Sequence, residues 1–265
     1  MNFLKKWAYY AWSVLEIIGG IRNWPAMLGL LLRPQDTREH EVRLRKPLVR
    51  LAIRGAMDLW AVKETYLDAF YTRYGEPVQD GWTVVDIGAG VGDFSILAAY
   101  SHPTGRVIAF EPFPGSYALL VRNIAQNGVS NVTARQEAVW DEAGEITLDL
   151  SGGEPLQIAS HAAGEDDGKV VVPAVTLADV LTEHAIERID LLKLDCEGAE
   201  YPILTNASVE ALAKVDRIVM EYHDLDADQN YLTLSEFLID SGFRVYWHAN
   251  QVHADIGYLF ATRLQ

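Results

Sequence analysis

The feature that most limits the possible folds is a regular alternation of β-branched, apolar runs with runs of helical periodicity along this 265-residue chain. Strands are predicted at 82–87, 106–110, 132–139, 189–195, 217–222, 243–247 and 258–262. Helices are predicted at 57–73, 94–100, 116–126, 199–214 and 232–241. This alternation favours an α/β domain with a mostly parallel sheet covered by helices on both faces, and the short last connection indicates an antiparallel edge.

The segment VVDIGAGVGDF (84–94) predicts a strand, a tight glycine turn and a helix. Gly88, Gly90 and Gly92 let a ligand approach the backbone closely. A dinucleotide fold has the spacing G-x-G-x-x-G, whereas this turn has G-x-G-x-G followed by Asp93. A carboxylate there repels a phosphate, but it accepts a cation or caps its own helix. The turn therefore favours S-adenosylmethionine, which carries a sulfonium and an ammonium group and no phosphate.

Acidic residues end the strands around this turn. Asp86 is expected to hold the ammonium side of the ligand, directly or through water. Glu111 ends the next strand, where a carboxylate accepts both ribose hydroxyls of an adenosyl ligand. The adenine edge is expected at the end of the third strand, and two phenylalanines are expected against the adenosine. The predicted cofactor contacts are Asp86, Gly88, Ala89, Gly90, Gly92, Asp93, Phe94, Glu111, Pro112, Phe113, Glu137, Ala138 and Asp195.

Five segments together resemble the FkbM family of S-adenosylmethionine-dependent methyltransferases: VVDIGAGVGDFSILAA, VIAFEPFPGSYALLVRNIAQN, VTLADVL, IDLLKLDCEGAE and IVMEYH. The resemblance covers about residues 57–225, and the strand ending in K-x-D-x-E-G-x-E is its most distinctive part. It implies a class I, Rossmann-like methyltransferase fold with a seven-stranded sheet, and methylation of a hydroxyl on a sugar or polyketide. Cys196 stands where the family often has a β-branched apolar residue, and we interpret it as a small core residue.

Two later strands, 189–195 and 217–222, also end in acidic residues, Asp195 and Glu221. Because ligands gather at the carboxyl edge of parallel strands, both are expected to face the crevice beside the cofactor. His223 is the predicted base for the acceptor hydroxyl, with Asp195 or Glu221 orienting its ring. Alternatively, these three side chains hold Mg²⁺ or Mn²⁺, an ion that the oxygen-rich set allows but that is not expected.

Two further acids follow Asp195 in the stretch DCEGAE. Glu197 is expected at the methionine part of the cofactor or at the acceptor, and it completes the candidate catalytic set with Asp195, Glu221 and His223. Glu200 is expected in the first turn of the following helix, where the helix dipole favours an acid. We therefore interpret Glu200 as structural.

The N-terminal part of the chain differs in charge from the rest. Residues 1–54 hold ten Lys/Arg and four Asp/Glu, a net charge of +6, so that residues 55–265 carry −21 of the total of −15. We predict a basic, aromatic-rich helical extension over 1–56 and a methyltransferase domain over 57–265. Residues 1–32 are interpreted as a peripheral foot on an anionic membrane, as a cap packed on the main domain, or as a homodimer interface.

The alternation is interrupted between residues 145 and 175. A polar strand, EITLDL, is followed by a loop rich in Gly, Asp and Glu and then by an apolar strand, VVVPAV. This pattern predicts a surface β insertion with a mobile tip near the substrate.

The net charge of the chain excludes some functions. A net charge of −15 argues against nucleic-acid binding, which requires an excess of Lys and Arg. We therefore predict a cytoplasmic methyltransferase, peripheral at the inner membrane face if its N-terminal segment binds lipid, acting on a hydroxyl of a carbohydrate, glycolipid or related natural product. N- or carboxyl-methylation on the same fold stays open, as does a non-catalytic membrane-associated protein that retains the cofactor pocket.

Overall fold

The computed structural model describes residues 3–149, 158–159, 169–250, 252–253 and 255–264. Its helices are α1 (Phe3–Gly20), α2 (Trp24–Leu31), α3 (Ala56–Lys63), α4 (Phe70–Arg73), α5 (Asp93–Ser101), α6 (Pro114–Asn127), α7 (Leu177–Glu183), α8 (Glu200–Thr205), α9 (Val209–Ala213) and α10 (Tyr231–Asp240). A π-helical turn, Glu64–Asp68, lies between α3 and α4. The strands are β1 (Glu39–Arg43), β2 (Arg50–Arg54), β3 (Thr83–Ile87), β4 (Arg106–Phe110), β5 (Val132–Arg135), β6 (Ala138–Val139), β7 (Gly144–Asp149), β8 (Ile158–Ala159), β9 (Lys169–Val175), β10 (Leu191–Leu194), β11 (Arg217–His223), β12 (Phe243–Ala249) and β13 (Ile256–Arg263).

Seven strands form the central sheet in the order β12–β13–β11–β10–β3–β4–β5. The five strands from β11 to β5 are parallel, whereas β13 runs antiparallel to both β11 and β12. This is the Rossmann-like arrangement of class I methyltransferases, so the predicted fold class is confirmed. The chain order reverses between β3 and β10, and ligands bind at such a switch point in open α/β sheets.

Alternation along each strand covers both faces of the sheet. In β3, Val85 and Ile87 pack in the core cluster that contains residues of α7, α8 and α10. The intervening Val84 packs in a second cluster with Phe94 of α5 and Phe70 of α4. A parallel sheet buried on both faces explains why these strands are apolar at almost every position.

The predicted extension over 1–56 is helical only in part, because β1 and β2 form an antiparallel hairpin within it. Asn123 and Asn127 of α6 lie one helical turn apart and hydrogen-bond to the free edge of β2. Asn123 bonds the N–H and C=O of Ala52 at 2.7 and 2.9 Å, and Asn127 bonds those of Arg50 at 2.9 and 2.7 Å. The extension is thereby fixed to the domain that contains the central sheet.

The same extension shares a hydrophobic core with the domain. Ile17 of α1 and Met27 of α2 belong to one buried cluster with Val91 of the glycine turn, Ile96 of α5 and Leu119 of α6. One face of the N-terminal helices is therefore a cap on the main domain. No helix in the described part of the chain is long and apolar enough to cross a membrane.

Three predicted elements are interrupted in the structure, and one of them, the helix expected over 199–214, divides into α8 and α9. The helix expected over 57–73 ends at Lys63, continues as the π-helical turn and breaks at Ala69, whose φ is 56°. The strand expected over 132–139 divides into β5 and β6. The short β6 leaves the main sheet and pairs with β9, because the β insertion forms a separate sheet in the order β6–β9–β7–β8. Most of the Gly-, Asp- and Glu-rich loop lies outside the described residues.

Candidate active site

The glycine turn follows β3 at the switch point of the sheet. Gly88 has φ of 74°, and a Cβ there would lie 1.8 Å from the carbonyl oxygen of Asp195, so only glycine allows the ends of β3 and β10 to approach. Gly90 has φ of 55°, and a Cβ there would meet no atom within 4 Å. The turn therefore leaves open space beside its backbone, as a ligand cradle requires.

Glu111, directly after β4, faces this turn across the crevice. Its two carboxylate oxygens accept backbone N–H groups from Gly90 at 2.7 Å and Phe113 at 2.9 Å. Burial raises the pKa of Glu111 to about 7, although both N–H groups and the Lys193 ammonium oppose the shift. The carboxylate is thus held in one orientation by the backbone and has little contact with bulk water.

An open cleft lies between these two segments and encloses about 570 Å³ of space, part of it continuous with bulk solvent. The predicted site residues that line it are Gly88, Glu111, Pro112, Phe113, Glu137, Ala138, Asp195 and Glu197. Leu148 of β7 also lines it, so the insertion contributes one wall. Glu137 forms an ion pair with Arg135 at 2.8 Å, and Ala138 is buried.

Three predicted contacts are core residues instead. Asp86 is fully buried, accepts the Ser95 hydroxyl at 2.5 Å and the Lys193 ammonium at 3.1 Å, and does not line the cleft. Phe94 is buried edge-on against Tyr71, with ring centroids 5.4 Å apart, and does not line the cleft. Ala89 packs against Leu120. All three side chains are buried in the core beside the glycine turn.

Gly92 and Asp93 lie at the start of α5 and do not line the cleft. Asp93 is buried and accepts the hydroxyl of Thr65 from the π-helical turn. Burial raises the pKa of Asp93 to about 6, against the lowering effect of Lys193. A Cβ at Gly92 would lie 2.5 Å from Leu120 Cδ1, so this glycine permits close packing on α6. Both residues therefore stabilise the glycine turn through their contacts with α6 and the π-helical turn.

Asp195, directly after β10, stands on the acceptor side of the cleft. Its Oδ2 accepts the hydroxyl of Tyr71 at 2.6 Å and lies 3.8 Å from Lys193 Nζ. Because side chains alternate along a strand, Lys193 and Asp195 lie on the same side of β10. The carboxylate side chain is 29% exposed, which leaves it accessible to a bound acceptor.

His223 lies between two acids, but not the two that were expected. Its Nε2 is 3.4 Å from Glu197 and its Nδ1 is 3.5 Å from Glu200, and His223 does not line the cleft. Burial alone lowers the pKa of His223, yet the carboxylates of Glu200, Glu197 and Asp195 outweigh it and raise the pKa to about 9. The ring is therefore protonated at neutral pH, which argues against its predicted role as the base.

Glu200 begins α8, as predicted, and is fully buried. Its two oxygens accept the N–H groups of Cys196 at 2.9 Å and Gly198 at 2.8 Å. These bonds hold the turn in which Glu197 takes a positive φ of 54°. Because this conformation is unfavourable for a residue other than glycine, the structure around it must fix it, and such residues cluster at functional sites.

Glu221, in the C-terminal half of β11, is partly buried. Among the described residues its side chain makes no hydrogen bond or ion pair. Burial raises the pKa of Glu221 well above its usual value, and the carboxylates of Asp195, Glu64 and Glu197 raise it further. Glu221 is therefore less readily ionised than an exposed glutamate.

The alternative of a metal at Asp195, Glu221 and His223 gains no support from this geometry. Within the described ranges, no group of three His, Cys, Asp or Glu side chains is placed to hold a metal ion. The positive charge beside Asp195 comes instead from Lys193, and the positive charge beside Glu197 comes from His223.

Three residues close to Asp195 were not predicted from the sequence: Lys193, Tyr71 and Glu64. Lys193 was detectable, because a lone lysine in the apolar strand LLKL has to find a buried partner. Tyr71 and Glu64 gave no such signal, because they follow the helical period of the 57–73 segment. Glu64 accepts the indole N–H of Trp60 at 3.0 Å. Burial and the nearby Asp195 and Asp68 raise the pKa of Glu64 to about 8.

The part of the chain that forms the cleft matches a known protein family. The family model described as "Methyltransferase FkbM domain" matches residues 86–245, more than half of the chain. The chain belongs to the FkbM methyltransferase family. The match begins at Asp86, just before the glycine turn, and extends past His223, so it contains the whole cleft. The suspected resemblance is thereby confirmed, and this FkbM-family chain is an S-adenosylmethionine-dependent methyltransferase.

Three relatives show the range of proteins to which this FkbM-family chain is similar. "31-O-demethyl-FK506 methyltransferase FkbM" of Streptomyces tacrolimicus is 30% identical over 193 residues, 62% of this chain and 74% of that protein. "Methyltransferase sdnD" of Sordaria araneosa is 34% identical over 189 residues, 60% and 72% of the two chains. "2-O-methyltransferase NoeI" of Sinorhizobium fredii is 26% identical over 170 residues, 58% and 69%.

The residues of the cleft fit an adenosyl ligand. Gly88 and Gly90 would let the methionine part approach the backbone, and the oriented carboxylate of Glu111 would accept the ribose hydroxyls. Phe113, Glu137 and Ala138 line the same cleft and would contact the adenosine. The open side of Gly90 and the two backbone bonds of Glu111 are the observations on which this fit depends.

Proposed function

We propose that this FkbM-family methyltransferase transfers a methyl group to a hydroxyl of a carbohydrate, glycolipid or related natural product. The observation that supports the proposal is a single cleft in which Glu111 faces one part and the carboxylates of Asp195 and Glu197 face the other. Two relatives, 30% and 26% identical, carry O-methylation in their names. Because the methyl donor is a cytosolic metabolite, we place the reaction in the cytoplasm.

In the proposed mechanism, bound S-adenosylmethionine supplies the activated methyl group. Asp195 accepts the proton of the acceptor hydroxyl, and the Tyr71 hydroxyl bond fixes its carboxylate in position. An alcohol oxygen becomes strongly acidic as it gains a methyl group, so a carboxylate is a sufficient base. Glu197 hydrogen-bonds to the acceptor, and His223 is a positioning residue that holds Glu197.

The reaction class is tested by offering the purified chain S-adenosylmethionine with sugars, glycolipids and polyketides that carry free hydroxyls, beside matched amines and carboxylic acids. We expect methylation of hydroxyl oxygens, located by tandem mass spectrometry of the product. Methyl groups found only on nitrogen or on carboxylates would replace O-methylation by one of the alternative reactions. Binding of S-adenosylhomocysteine without transfer to any acceptor class would favour a non-catalytic role.

The role of Asp195 predicts a separation of turnover from cofactor affinity. Asp195→Asn should lower kcat about 10²-fold, because general-base catalysis contributes at least that much, and should change the affinity for S-adenosylhomocysteine less than about fivefold. Steady-state kinetics and calorimetry give the two quantities. Asp190→Asn is the matched control, since Asp190 is a buried acid at the other end of the same strand, bonded to Thr83 N–H at 2.8 Å. A normal kcat in Asp195→Asn would remove Asp195 from the mechanism.

A further inference from the structure

Helix α1 exposes apolar residues, whereas the polar groups of Tyr9, Ser13 and Glu16 bond within the protein. The exposed residues among its described side chains are Trp7, Ala8, Ala11, Trp12, Val14, Leu15 and Gly19. Trp7, Trp12 and Leu15 are 59%, 60% and 59% exposed. A helix that packs only on its own domain has the opposite pattern, with its apolar stripe inward and polar residues in water. We call the seven exposed residues the outer face of α1.

A buried ion pair fixes this orientation of the helix. Lys63 is fully buried beneath α1 and lies 2.6 Å from both oxygens of Asp68. Its ammonium group also donates to Tyr9 Oη at 3.2 Å and lies 3.3 Å from Glu16. Because Tyr9 and Glu16 belong to α1, rotating the helix would leave Lys63 without two of its partners. The outer face is therefore held outward by specific polar contacts.

Unpaired cations lie at the C-terminal end of the outer face. Arg22 follows α1, and the turn between β1 and β2 brings Arg45 and Lys46 to the same end, where Arg45 N–H bonds Gly20 C=O at 2.8 Å. All three are exposed, and within the described part of the chain their side chains make no ion pair or hydrogen bond. Leu48, on the same turn, is 61% exposed. Apolar surface thus adjoins unneutralised positive charge.

We propose that the outer face of α1 and the turn 44–49 dock on an anionic lipid bilayer. Tryptophan and leucine side chains of an interfacial helix enter the boundary between headgroups and acyl chains, while neighbouring cations bind the acidic headgroups. The charge distribution fits this orientation, since residues 55–265 carry −21 and are repelled from the same surface. A two-fold dimer through this patch would instead bring two sets of unpaired cations into one interface.

Vesicle flotation of the full chain tests the proposal, with phosphatidylcholine vesicles that contain or lack phosphatidylglycerol. We expect binding only to the anionic vesicles and its loss at high salt. Leu15→Glu should weaken binding at least about tenfold, by removing apolar contact and adding a negative charge. The double variant Arg45→Glu, Lys46→Glu should weaken it at least about 25-fold, because each lost cation accounts for about fivefold.

Val209→Glu is the matched control, because Val209 is 81% exposed on α9. It should bind vesicles like the unaltered chain, and calorimetry with S-adenosylhomocysteine checks that every variant is folded. Absence of binding to anionic vesicles, or equal loss in Leu15→Glu and Val209→Glu, would overturn the proposal. Light scattering tests the alternative that a second copy of the chain covers the outer face of α1. If the unaltered chain is a dimer and Leu15→Glu converts it to a monomer, the outer face is a contact between two copies.

Discussion

Replacing Glu111 by alanine is expected to weaken S-adenosylhomocysteine binding by about 10²- to 10⁴-fold. A carboxylate that two backbone N–H groups hold in place can accept both ribose hydroxyls without reorienting. Each hydrogen bond to a charged group contributes about 1.5–3 kcal/mol, so the loss of two corresponds to this range. Isothermal calorimetry measures the change directly.

Glu137→Ala serves as the control for Glu111→Ala. Glu137 lines the same cleft, but Arg135 already neutralises it at 2.8 Å, so we expect an affinity loss below about tenfold. Similar losses in the two variants would show that Glu111 has no special part in binding the ribose.

The pH dependence of binding follows from the same residue. Burial raises the pKa of Glu111 to about 7 in the ligand-free chain. Because the ribose hydroxyls need the ionised carboxylate, affinity should be constant above pH 7 and fall about tenfold per pH unit below it. The fall should be absent in Glu111→Ala. A pH-independent affinity of the unaltered chain would show that the ligand does not use this carboxylate.

The features predicted correctly from sequence are those that local rules determine. The apolar runs of β3, β4, β10 and β11 follow from burial on both sheet faces, and the turn at Gly88 and Gly90 follows from backbone conformations that side chains exclude. The position of Glu111 at a strand end then follows from the parallel order of the sheet.

The features that sequence did not predict depend on residues distant along the chain. The segment 57–73 has helical periodicity throughout, yet it contains a π-helical turn that brings Thr65 to Asp93 and Lys63 to α1. The acids beside His223 were also misassigned, because the turn at Glu197 directs two carboxylates toward the ring. The position of a residue in a strand indicates at which edge of the sheet it lies, but it does not indicate which side chains the residue contacts.

Lys193 links the two parts of the cleft, and its removal is expected to have the largest effect on stability. Its ammonium group donates to Gly88 C=O at 2.7 Å and lies 3.1 Å from Asp86 and 3.8 Å from Asp195. Burial lowers the pKa of Lys193, but Asp86, Asp195 and Asp93 outweigh it and raise the pKa above its usual value, so this lysine stays charged. One cation thus connects the glycine turn, the end of β3 and the proposed base.

Lys193→Met should lower the free energy of unfolding by about 3–5 kcal/mol, since Asp86 is fully buried and would lose its cationic partner. Urea denaturation measures the change. Arg122→Met is the control, because the Arg122–Glu39 pair is exposed and contributes less than about 1 kcal/mol. Adding Asp86→Asn should recover at least about 1 kcal/mol, because the buried charge is then absent. If Lys193→Met and Asp86→Asn instead destabilise the chain additively, the ion pair between Lys193 and Asp86 does not stabilise the core.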